Sequence, residues 1–155
     1  MQLHISNDPP TSRVFLEAAS LEIGSILNSY IAIHDDIFRF SLRRILPLPV
    51  IFQSMDYDEY FRRLFYLDET LAGIAAQFPE RSDEVPELLS VIKSYCDALR
   101  AAMSALREIC GSLMEKAAHQ KSYGWSNYQR DLARHNTDVT RYREIGQKLN
   151  ALLSR

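Results

Sequence analysis

His135 is the residue of this chain best placed to do chemistry. Its spacing from Leu132, Val139 and Tyr142 puts it on the apolar seam of a helix, not on a solvated face. Asp131 lies one turn before it and Asp138 about one turn after, so the three can share a face. A hairpin turn around Gly124 would bring His135 near Cys110 or Leu113 of the preceding helix. Imidazole, carboxylate and thiolate are all metal ligands. His135, Asp131, Asp138 and Cys110 are therefore a candidate metal site. His34, Asp35 and Asp36 could join it only if their level in the fold matches. Helical bundles with bridged metals use glutamates together with Glu-x-x-His pairs. The chain contains no Glu-x-x-His.

A second reading starts from the charge beside that imidazole. Arg130-Asp131-Leu132-Ala133-Arg134-His135 resembles the Arg-x4-His motif of HEPN-domain ribonucleases. Those enzymes are also small helical bundles, and a polar residue commonly follows the motif's Arg. The resemblance covers six of 155 residues. It implies that Arg130 stabilises a phosphate while His135 assists proton transfer during attack by a ribose 2′-hydroxyl, without a metal. RNA would then be the partner. No Gly-rich phosphate loop, Gly-x-Ser-x-Gly, Cys-x-x-Cys or His-Glu-x-x-His offers other chemistry.

Net charge is -2, so the chain has no general field to attract nucleic acid or an anionic membrane. An apolar content of 46% is enough for one packed domain, and 155 residues are too few to expect two. The longest apolar stretch, Leu46 to Phe52, is too short to span a bilayer and holds two prolines. The N-terminus shows no basic region followed by an apolar core, which predicts no signal peptide. Cys96 and Cys110 fall on one helix, roughly 21 Å apart, and cannot pair with each other. Two buried thiols suit a reducing compartment, so a cytoplasmic location is expected.

The elements that must position these residues are helices. Leu88, Ile92, Tyr95, Leu99, Ala102, Leu106, Ile109 and Leu113 alternate in steps of four and three, a heptad seam. Leu89, Cys96, Met103, Cys110 and Ala117 run beside it, with Val91, Ala98 and Ala105 on a further flank. A helix apolar over so much of its surface touches several neighbours. Pro86 opens it, Ser82 or Asp83 caps it, and it reaches to about Lys121.

A leader over 1–10 precedes a single domain over 11–155. The first helix starts at a cap on Thr11 or Ser12. Its seam is Leu16, Ala19, Ile23, Ile26, Tyr30, Ile33, Ile37 and Phe40, and Pro47 stops it. Residues 47–55 form an apolar linker, with Val50, Ile51 and Phe52 expected to close one end of the core. Asp56 and Glu59 then stand in capping-box spacing. The second seam is Tyr57, Tyr60, Leu64, Leu67, Leu71, Ile74 and Phe78. On the last helix, from about Asn127 to Leu153, the seam is Tyr128, Leu132, His135, Val139, Tyr142, Gly146, Leu149 and Leu153. Gly124 is expected at positive φ, with Ser126 as the cap.

Short connections between these helices imply antiparallel neighbours. The expected fold is all-α, an up-down-up-down four-helix bundle with long first and third helices. The first half of the second helix is rich in aromatics. Tyr57, Tyr60, Phe61, Arg62 and Phe65 are candidate interface anchors there. The function expected from these patterns is a non-enzymatic interaction module without a cofactor. It self-associates, a homodimer being favoured, or binds a protein partner. Metal-independent RNA cleavage by Arg130 and His135, and a metal-binding bundle, are the alternatives.

Overall fold

The protein, seen in a computed structural model, is described over residues 13–45, 57–117 and 123–155, with the side chains of 39–45 and 116–117 excepted. Four helices make up the described chain: α1 (Arg13–Ile45), α2 (Tyr57–Ala76), α3 (Pro86–Ala117) and α4 (Trp125–Leu153). The expected caps at Thr11, Ser12 and Asp56, the leader 1–10 and the linker 47–55 lie outside the described residues, as does the side chain of the seam residue Phe40. No described helix is long and apolar enough to cross a membrane.

The helices form the expected bundle, and each pair of neighbours is antiparallel. Phe15 of α1 meets Phe78 just beyond α2, edge to face at 6.3 Å. At the opposite end of this pair, the Tyr60 hydroxyl donates to Asp36 at 3.4 Å. Between α2 and α3, Asp68 holds the Arg100 Nε at 2.9 Å while Arg107 lies over the rings of Phe61 and Phe65. Between α3 and α4, Arg134 reaches Glu108 at 3.1 Å, and Tyr95 meets Tyr142 edge to face at 6.3 Å. Arg13 closes the ring by donating from its Nη2 to the Leu153 carbonyl at 3.1 Å. That carbonyl is one of the last of α4, which have no partner within the helix. A cation at this end also opposes the helix dipole favourably.

Central position follows from the α3 seam. Every residue from Leu88 to Leu113 on it is buried, together with Cys96, Met103 and Cys110 of the second row. Each large aliphatic side chain buried here contributes about 1.5–3 kcal/mol by removal from water. The α1 seam is buried from Leu16 to Ile37. On α4 the result differs from expectation, because only His135, Tyr142 and Leu149 of the seam are fully covered. Tyr128, Leu132, Val139, Gly146 and Leu153 are half-buried.

Two expected details of helix ends are corrected. Gly124 takes φ -90° and ψ 175°, ordinary extended backbone, and itself occupies the cap position of α4. Ser126 therefore sits inside the first turn and cannot serve as the cap. At the other junction the Ser82 Oγ accepts the Val85 N–H at 3.1 Å, fixing the turn that delivers Pro86 to the start of α3.

Gly146 does require its lack of a side chain. A Cβ there would lie 3.1 Å from the Tyr95 ring. Glycine lets that ring rest directly on the α4 backbone. Tyr95 in turn abuts Tyr142, so the α3–α4 contact at this level is aromatic against backbone and ring.

Candidate functional site

The seam position of His135 turns its imidazole into the bundle, and its side chain is 0% exposed. Its Nε2 lies 2.6 Å from the hydroxyl of Tyr30, which α1 presents one turn before His34. His34 stacks on the same imidazole at 5.3 Å between centroids and Phe38 at 5.8 Å. Tyr30, His34 and Phe38 follow one another at four-residue spacing, so α1 lays a row of rings against α4. Tyr142 extends the row, edge to face with Tyr30 at 6.0 Å. Wide rings thus join α1 to α4, while the most extensive backbone packing in the bundle is between α3 and α4 and between α2 and α3.

Burial sets the protonation states of this layer. Taking His135 from water lowers its pKa to about 4, and the neighbouring His34 adds to that shift. The imidazole is therefore neutral near neutral pH. Its Nδ1 has no hydrogen-bond partner, whichever nitrogen carries the proton. Burial, followed by the fields of Tyr142 and Asp138, pushes the Tyr30 hydroxyl well above its usual range, so it stays protonated. The exposed edge of the layer is His34, whose Nδ1 meets the Asp35 carboxylate at 3.0 Å.

Arg130 does not join His135. A five-residue step turns about 140° around a helix, and the two side chains face apart accordingly. Arg130 is 73% exposed and lies 3.5 Å from Asp131. It lines a groove of 620 Å³ between α3 and α4 with Glu108, Glu115, Asp131 and Arg134. His135 does not line that groove. The Asp131 carboxylate accepts the Tyr123 hydroxyl at 2.6 Å, which ties the α3–α4 turn to α4. Arg134 is held by Glu108.

The metal candidates are likewise separated in role. Asp131 serves Tyr123 and His135 serves Tyr30. Burial pushes the thiols of Cys96 and Cys110 up to about 12, so both remain protonated. The level of His34 does match that of His135, but the match produces ring stacking. Among the described residues no three His, Cys, Asp or Glu side chains are grouped so as to hold a metal ion.

The candidate anchors on α2 divide by face. Tyr57 is 3% exposed and belongs to the core, which removes it from any docking surface. Tyr60 and Phe61 are half-buried, Tyr60 against Asp36 and Phe61 beneath Arg107. Arg62 is exposed and paired with Asp58 at 2.9 Å. Phe65 is 51% exposed and Tyr66 is 70% exposed. Tyr66 is not among the expected anchors, and its outward angle on α2 is what singles it out. It borders a groove of 730 Å³ between α1 and α2, lined also by Ser29, Ala32, Asp36, Arg62 and Arg63. Arg63 is paired with Glu59, so the positive charge at this groove is already balanced.

No protein family, curated protein or solved structure matches the chain.

Proposed function

We propose that the protein is a non-enzymatic interaction module that binds protein, a second copy of itself first, through the outer face of α2. The observation that supports this most is the pair Phe65 and Tyr66. They flank the outer face of α2, Phe65 toward Arg107 of α3 and Tyr66 toward the α1–α2 groove, and two large aromatics more than half exposed on one helix are a standing cost in water. Aromatics beside an arginine are also the composition of interface anchors. Two buried thiols suit a reducing compartment, and the reading includes a cytoplasmic location.

The chemistry around His135 supports the same reading from the other side. A general acid or base must reach the proton it transfers, directly or through one water. His135 has no exposure, a single hydrogen bond to Tyr30, and no shared surface with Arg130. It acts as a core residue that fixes α1 against α4.

Sedimentation velocity across about a hundredfold range of micromolar concentration tests the proposal. The expected result is a sedimentation coefficient that rises with concentration toward that of a dimer. Cleavage of single-stranded RNA by the purified protein, lost in both Arg130→Ala and His135→Ala, would overturn it in favour of the ribonuclease.

A further inference from the structure

On the outer face of α2, one pair of charges, Arg62 and Glu69, is complementary when the helix is laid against its own reverse. The line of exposed residues along the middle of that side is Asp58, Arg62, Phe65, Tyr66, Glu69 and Gly73, while the exposed Glu59 and Arg63 pair with each other toward the α1 groove. Arg62 and Glu69 are equally distant from the midpoint between Phe65 and Tyr66, as are Asp58 and Gly73. We infer that α2 pairs with α2 of a second copy in antiparallel orientation, about a two-fold axis passing between Phe65 and Tyr66. The inference rests on the self-association reading above and adds its surface, orientation and register.

A two-fold axis at that point sets Arg62 of each copy opposite Glu69 of the other, twice per dimer. It sets Phe65 and Tyr66 against their counterparts in the middle, where aromatic anchors are most effective. Asp58 comes to face Gly73, which has no side chain and nothing within 4 Å of where a Cβ would stand. A parallel pairing would instead oppose Arg62 to Arg62 and Glu69 to Glu69. Like-charge juxtaposition is unfavourable, so the charge order selects the antiparallel arrangement. Neither charge is isolated in the monomer: Arg62 contacts Asp58, and Glu69 contributes to the field at Arg100. The pairing therefore adds a second partner to Arg62, which Asp58 already holds along the helix. The 20 residues of α2 limit the contact to the smaller class of interfaces.

The test is complementation between two singly altered chains, followed by sedimentation equilibrium. Arg62→Glu alone places two Glu–Glu contacts in the dimer, and Glu69→Arg alone places two Arg–Arg contacts. Each should raise the dimer dissociation constant about tenfold or more. Mixed in equal amounts, the two variants restore both opposite-charge contacts, so the mixture should associate like the native protein. Unchanged helical circular dichroism and thermal midpoint in each variant show that the fold is intact. Single variants that associate as tightly as the native chain would overturn this surface while leaving self-association standing. Weakened variants that fail to complement each other would overturn the antiparallel register. A native chain that stays monomeric would overturn the inference together with the reading on which it rests.

Discussion

The Tyr30 hydroxyl and the His135 imidazole meet at 2.6 Å in the interior, on helices that run antiparallel. One is near the middle of α1 and the other near the middle of α4. The contact joins the two helices at a level where large rings fill the space between them. His135→Ala should therefore lower stability by about 2–4 kcal/mol, through the cavity it leaves and the loss of the Tyr30 hydroxyl's partner. Urea unfolding measures this directly. An unchanged midpoint would place the imidazole outside the folding core.

Acid should weaken the bundle through the same residue. Its folded pKa is about 4 and its ordinary value 6.5. Between those values the unfolded chain binds a proton that the folded chain refuses. The contribution is thus fully present above pH 6.5 and is lost as pH falls toward 4. His34 with Asp35, Tyr30, Asp138, Tyr142 and Arg143 surround the layer, and none supplies an acceptor to Nδ1. Stability measured across this window should fall by roughly 2–3 kcal/mol more in the native protein than in His135→Phe. Parallel pH profiles for the two would contradict a buried neutral imidazole.

Two glycines should respond to alanine with opposite signs. Gly24 on α1 has nothing within 4 Å of a built Cβ. Gly24→Ala should stabilise by about 0.5–1 kcal/mol through helix propensity alone. Gly146→Ala gains the same propensity but drives a methyl toward the buried Tyr95 ring, which is held by Tyr142. A net loss of about 1–2 kcal/mol is expected there, as for other overpacked sites. Thermal denaturation of both variants separates the two effects.

The thiols report on the core independently. Cys96 and Cys110 are buried, and burial holds both well above the ordinary thiol pKa. A disulfide reagent should modify neither at mildly alkaline pH until the chain unfolds, because only the thiolate reacts. Rapid labelling of the folded protein would show that α3 is not central.

How much of this was legible depended on how completely each helix is surrounded. The α3 seam could be read in full from Leu88 to Leu113, because a helix covered on several sides has apolar residues wherever it is covered. His135 could be read as a core position from its spacing to Tyr142 and Leu149. Its partner Tyr30 could not, since a seam lists positions without saying which seam faces which. On α4 the spacing found Tyr128 and Val139, which pack against the core, but not that they and Leu132 stand where the flank is only half covered. The aromatics of α2 surround the helix on several sides, so type alone could not tell Tyr57, a core residue, from Tyr66, an exposed one. The packing of α1 on one side and α3 on the other decides that. Arg130 and His135 fit a motif in the sequence, but a five-residue step sends them to different surfaces.

Under the proposed function the outer face of α2 binds a second copy, while the buried His135 belongs to the core. The most direct measurement compares the concentration-dependent mass of the native chain with that of Phe65→Ser/Tyr66→Ser by sedimentation equilibrium. Tyr66 is mostly exposed and Phe65 half exposed beneath Arg107, so the variant should lose no more than about 1 kcal/mol of stability. The native chain should reach dimer mass in the micromolar range while the variant remains monomeric. Equal association of the two proteins, or a native chain that is monomeric throughout, would contradict it.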